Sequence, residues 1–148
     1  MSDGASILII EDDQDLASSM RVTLEAEKFQ VTSVEDPEKG VEEARRKKPD
    51  LIILDVMFGE SQKTRGFDCA LELKQDKVLA PVPILMVTAV NIRHKGFHFS
   101  PNTDGEYLPV DDFIDKPAQP EDLVQKVKEL LKKGVSKWKN WPHPPSQD

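Results

Sequence analysis

Leu51-Ile52-Ile53-Leu54-Asp55 is the stretch on which the fold turns: four apolar residues in succession that stop on a single carboxylate. A run this short, entered from Pro49 and Asp50, reads as a strand. Three other stretches repeat the design. Ile7-Leu8-Ile9-Ile10 opens onto Glu11-Asp12-Asp13, Ile84-Leu85-Met86-Val87 ends on Thr88, and Phe113-Ile114 leads through Asp115 to Lys116-Pro117. As neighbouring parallel strands, they would bring acids, a hydroxyl and an ammonium to one rim. Open α/β sheets place their sites at that rim.

Amphipathic segments separate these runs, which is the pattern of βαβ units and a parallel sheet. Gln14–Lys28 carries Leu16, Met20 and Leu24 at four-residue spacing, a helical stripe. Phe29–Val34 reads as the second strand. Asp36-Pro37-Glu38 starts a helix with an N-cap acid and a proline at the first position; Val41 and Ala44 point inward and the basic run Arg45–Lys48 closes it. Met57–Arg65 reads as a polar loop, and Gly66 with Phe67, Ala70, Leu71 and Lys74 as the third helix. Pro81 and Pro83 bracket the entry to the strand ending at Thr88. Val90–Pro109 is broken by Gly96, Pro101, Gly105 and Pro109, so no long regular helix is expected there. Asp112–Ile114 is the last strand. The final helix begins at Pro120 with Glu121 and Asp122, buries Leu123, Val127, Leu130 and Leu131, and stops at Lys132-Lys133-Gly134.

The expected organisation is a flexible start over residues 1–5, one domain over 6–133 and a tail over 134–148 containing Trp138 and Trp141. A chain of 148 residues suits one domain with a real core. A net charge of −7 argues against a nucleic-acid footprint and an anionic membrane surface. The lone Cys69 excludes an internal disulfide and fits a reducing compartment. No run has the length of a membrane span, and Met1–Ser6 lacks the features of a signal peptide. The expectation is a cytoplasmic protein.

Asp55, at a strand end, can accept a phosphoryl group as an acyl phosphate; taken alone, it could equally be an ordinary acid capping a strand. Glu11 and Asp12 shift the balance. Carboxylates about 4 Å apart repel by roughly 4 kcal/mol per pair at an effective dielectric near 20, and a divalent cation relieves that cost. Magnesium takes one or two carboxylates with water and phosphate oxygens. Asp12 and Asp55 would hold it, with Glu11 reached directly or through water and the Met57 carbonyl as a backbone ligand. Asp13 and Asp15 instead suit the helix start. Lys116 can pair with Asp55 and then with a phosphoryl oxygen, Thr88 can hydrogen-bond that group, and Ala89 leaves room. A solvated lysine or a strand-ending threonine is unremarkable by itself; the ordered combination is specific. His94 and His98, with glycine between them and no third ligand, read as loop histidines. The tail tryptophans read as docked on the domain's own surface.

The order Glu11-Asp12, Asp55, Thr88-Ala89 and Lys116-Pro117 resembles the receiver domain of two-component response regulators, over about residues 6–133. The resemblance implies a flavodoxin-like (CheY-like) three-layer sandwich, a five-stranded parallel sheet of order 2-1-3-4-5, here with an atypical irregular fourth-helix region. It implies that Asp55 takes a phosphoryl group from a phosphohistidine on a sensor kinase or phosphotransfer protein, with Mg2+ required. Thr88 and Lys116 would read that group, and Thr88 and Phe113 would be the switch pair. Two departures stand out: the long polar loop after Asp55, and the Gly- and Pro-broken segment between Thr88 and Lys116, which alters the family's usual partner face. Phe97, Phe99 and Tyr107 fall in it and read as loop packing. Met57 and Val90, apolar at positions that modulate dephosphorylation, point to a long-lived acyl phosphate.

The reading is therefore a stand-alone signalling switch, autocatalytic in phosphorylation and slow hydrolysis but not a metabolic enzyme, acting through an unidentified protein target. Phosphorylation-dependent homodimerisation stays open. A pseudo-receiver working without phosphorylation is the alternative. A phosphatase on a related α/β fold is disfavoured because Met57 stands where that chemistry wants a second acid.

Overall fold

The computed structural model describes residues 4–55, 63–88, 110–116, 118–134 and 136, with side chains of 63–67 left aside. Expectations on Met57, Ala89, Val90–Pro109 with its histidines and aromatics, Pro117, and Trp138 and Trp141 lie outside the described residues.

The order is β1 (Ser6–Ile10), α1 (Gln14–Glu25), β2 (Gln30–Val34), α2 (Pro37–Lys47), β3 (Leu51–Asp55), α3 (Lys63–Gln75), β4 (Ile84–Thr88), β5 (Asp112–Asp115) and α4 (Pro120–Lys133). The five strands form one parallel sheet in the order β2-β1-β3-β4-β5, the expected order. Register runs Ile10 beside Leu54, and Asp55 beside Val87.

Side chains alternate across a strand, and the core divides accordingly. Leu8, Ile10, Ile52, Leu54, Ile84 and Met86 pack with Val41 and Ala44 of α2 and with Cys69, Ala70 and Leu73 of α3. Ile7, Ile9, Leu51, Ile53, Leu85 and Val87 pack with Ala17, Met20 and Leu24 of α1 and with Leu123, Val127 and Leu130 of α4. Helices on both faces bury every residue of β3 and β4, hence their unbroken apolar runs. Cys69 is sealed between α2 and α3, its thiol 3.7 Å from the Pro37 carbonyl. Gly40 lets α2 approach β1 closely: a Cβ there would lie 2.5 Å from Ile10 Cδ1.

Asp13 caps α1 by accepting from the Leu16 N–H at 3.1 Å, and Asp36 caps α2 by accepting from Glu38 at 2.9 Å. Several boundaries differ from expectation, among them the start of β2, at Gln30 and not Phe29. α1 stops at Glu25, short of Lys28, because the chain turns into β2 through Lys28 at φ 76°, a left-handed conformation that the sequence signals only when glycine or asparagine occupies it. α3 starts at Lys63, inside the stretch read as a loop. β5 extends one residue further, to Asp115.

Candidate functional site

Parallel register brings four strand ends together. Glu11 follows β1, and its N–H donates to the Val34 carbonyl of β2 at 3.0 Å. Asp55 ends β3 and Thr88 ends β4, one residue beyond the partner of Asp55. Lys116 follows β5 and donates its N–H to the Thr88 carbonyl at 2.8 Å. Residues spread along the sequence from 11 to 116 thus meet because they share one end of a sheet.

Glu11, Asp12 and Asp55 each offer a carboxylate oxygen, and these oxygens lie within 4.8 Å of one another. Glu11 and Asp55 are buried, whereas Asp12 faces solvent. The Lys116 ammonium reaches Asp55 Oδ2 at 2.5 Å. Burial works against that ammonium, but the hydrogen bond to Asp55 and the charges of Asp55, Glu11 and Asp12 outweigh it and hold Lys116 above the usual lysine value. Glu11 goes the other way: burial first, then the facing Asp55, pushes its carboxyl up to about 9, while the Asp13 N–H on Glu11 Oε2 at 3.0 Å pulls it down. Asp13 therefore does more than begin a helix, since its backbone aims Glu11.

Glu11 Oε1 is buried and has no hydrogen-bond partner among the described residues. A buried oxygen in that condition is costly, and here it belongs to a three-carboxylate cluster. Hard oxygen donors, crowded and one of them unsatisfied, fit a small divalent cation such as Mg2+.

Five of the expected site residues converge: Glu11, Asp12, Asp55 and Lys116 directly, and Thr88, fully buried, on the adjoining strand end. Phe113 is half-buried and packs against the cluster containing Met86, on the α2–α3 face. Met57, expected as a ligand, lies outside the described residues. Sequence reasoning missed a second buried charge cluster of Lys74, Asp111 and Ser136. Its one sequence signal was Lys74 itself, a lysine at an inward position of α3.

The model of the response regulator receiver domain family matches residues 7–128. The alkaline phosphatase synthesis transcriptional regulatory protein PhoP of Bacillus subtilis is 32% identical over 127 residues, 86% of this chain and 48% of that protein. The phosphate regulon transcriptional regulatory protein PhoB of Pseudomonas aeruginosa is 32% identical over 130 residues, 88% of this chain and 53% of that protein. The chain thus spans about half the length of these relatives. Among solved structures, the chemotaxis response regulator CheY4 of Vibrio cholerae superposes with a TM-score of 0.72 at 22% identity, covering 86% of this chain and 99% of that one. The receiver domain of a Pseudomonas aeruginosa sensor histidine kinase, with magnesium coordinated in its active site cleft, gives 0.70 at 20% identity over 87% of this chain and 98% of that one. These two share the fold.

Proposed function

This chain belongs to the response regulator receiver domain family, and from that premise we propose that it is a phosphorylation-dependent signalling switch with Asp55 as the phosphoryl acceptor. The observation that carries the reading is the buried Asp55 carboxylate, held by Lys116 and flanked by Glu11 and Asp12.

The Asp55 carboxylate attacks phosphorus of a phosphohistidine on a sensor kinase or phosphotransfer protein. An O–P bond forms, the N–P bond breaks, and the departing imidazole takes up a proton. Lys116 orients the carboxylate before transfer and pairs with a phosphoryl oxygen afterwards. Thr88, on the next strand end, hydrogen-bonds the same group and passes its position to Phe113 on β5. Glu11, Asp12 and Asp55 would hold Mg2+, with the Met57 carbonyl. When bound, the ion neutralises charge on the transferring group. Phosphorylation adds about −1.5 to −2 charges and three acceptor oxygens at this rim. The product is long-lived, because Met57 and Val90 cannot orient an attacking water. Among the described residues no helix is long and apolar enough to cross a membrane, and output runs through protein–protein contact.

Incubating the full chain with acetyl phosphate and magnesium tests this. The expected result is a mass increase of one phosphoryl group, lost in Asp55→Asn and lasting far longer than in rapidly hydrolysing chemotaxis receivers. No adduct in the unmodified chain would support a pseudo-receiver instead.

A further inference from the structure

The end of the sheet remote from Asp55 carries a buried charge cluster that phosphoryl transfer does not use. The ammonium of Lys74, near the end of α3, donates to the Ala80 carbonyl at 3.1 Å, the Val82 carbonyl at 2.6 Å and the Ser136 hydroxyl at 2.8 Å. Asp111 stands 3.5 Å from the same nitrogen, with side-chain exposures of 0% for Lys74 and 4% for Asp111. The Asp111 carboxylate accepts from Ser136 Oγ at 2.9 and 3.0 Å and from the Ile84 N–H at 2.9 Å. The Asp111 N–H returns to the Ile84 carbonyl at 2.8 Å.

Ser136 lies just past Gly134, whose left-handed φ of 81° ends α4. Its N–H donates to the Pro81 carbonyl at 2.8 Å, and it is itself buried. Ser136 therefore packs against a charge pair and covers it. Buried charges are tolerated only when paired and hydrogen-bonded, so the hydroxyl bridging Lys74 and Asp111 is part of what keeps both inside.

One strand connects this cluster to the phosphoryl-accepting rim. β5 has four residues and, among the described residues, pairs only with β4. Asp111 fixes its lower end to Ile84, and Lys116 fixes its upper end to Thr88 and Asp55. A short edge strand tethered at both ends cannot shift at one without loading the other.

We propose that Ser136 is a latch that reports the state of Asp55: docked while Lys116 is held by the free carboxylate, loosened when a phosphoryl group draws Lys116 and Thr88 and moves β5. The coupling half rests on the proposed phosphorylation; the latch itself does not. Linkage requires the converse, that weakening the latch favours phosphorylation.

Hydrogen exchange of the full chain, read at the amides of residues 84 and 136, tests both halves. Without any phosphoryl donor, Ser136→Ala should raise exchange at both amides about tenfold or more relative to α1 amides, with the circular dichroism spectrum unchanged. Protection equal to wild type would overturn the latch. With acetyl phosphate and magnesium, the fraction carrying the phosphoryl mass should show faster exchange at Ser136, and Ser136→Ala should raise that fraction at fixed donor. A phosphorylated fraction with unchanged exchange at both amides would overturn the coupling. Absence of any phosphorylated species would instead refute the function proposed for Asp55, with the donor-free comparison still deciding the latch. Ser136→Thr keeps a hydroxyl and should restore protection; failure to do so in a folded variant would count against the hydroxyl's role.

Discussion

Lys116 and Asp55 meet at 2.5 Å although the lysine side chain is 24% exposed and the carboxylate only 1%. The lysine reaches in from the solvent edge to neutralise an acid that is itself crowded by Glu11 and Asp12. Lys116→Met should therefore destabilise the metal-free protein by about 1–3 kcal/mol, the cost of leaving a buried charged group without its partner. Asp55→Asn removes the buried charge itself and leaves only the partly exposed Lys116 without its partner, so it should cost less than Lys116→Met. Urea denaturation of the three proteins checks the ranking, and a Lys116→Met variant as stable as Asp55→Asn would contradict it.

Magnesium should raise the thermal midpoint. A ligand at a hundred times its dissociation constant adds about 2.7 kcal/mol to stability. Asp12→Asn and Glu11→Gln should each shrink that gain, since each replaces a carboxylate of the cluster with a neutral amide. Differential scanning calorimetry with and without millimolar magnesium is the measurement. A midpoint unmoved by the ion in the unsubstituted chain would refute the metal assignment.

The contribution of Lys74 to stability should climb between pH 8 and pH 10.5, read as the difference from Lys74→Met so that the opposite trend of Glu11 cancels. Burial lowers the Lys74 ammonium to about 8 despite the opposing influence of Asp111, whereas an unfolded lysine titrates at about 10.4. Between these values Lys74 holds more protons in the unfolded chain, so its contribution rises with pH. Below pH 8 the cost of burying the charge is fully present. The full rise from this one group is on the order of 3 kcal/mol. Lys74→Met should lack it, and parallel unfolding slopes for the two proteins over that window would exclude the assignment.

Gly40→Ala should lower stability by about 1 kcal/mol. Alanine gains roughly 0.5–1 kcal/mol of helix preference over glycine, but the added Cβ meets Ile10 Cδ1 at 2.5 Å and Cγ1 at 2.8 Å, and overpacking typically costs about 1–3 kcal/mol. Ile10→Val removes the Cδ1 methyl, so the double variant should be less destabilised than the sum of the singles. Additive effects would mean that α2 simply moves aside.

The fold was legible because every strand end announces itself. Ile7–Ile10, Leu51–Leu54 and Ile84–Val87 are apolar runs flanked by polar residues, Glu11, Asp55 and Thr88 come where those runs stop, and Lys116 follows β5. Once parallel pairing is accepted, the convergence of Glu11, Asp12, Asp55 and Lys116 follows from register alone. The misses arise where local signals are weak or the determinant is distant. Lys28 adopts a left-handed turn without being glycine or asparagine. α3 begins before Gly66, a poor helix former that drew the expected boundary towards itself. Lys74 appears as one member of an amphipathic pattern, and its burial depends on Asp111 and Ser136, far away in sequence.

The placement of Cys69 has a practical use. Its sulfur sits between α3 and α2, and the residue is only 3% exposed. Val22, by contrast, is 68% exposed on α1. A thiol introduced there can carry a fluorophore or spin label by itself, so spectroscopic reporters can be attached to this molecule without first deleting its native sulfhydryl.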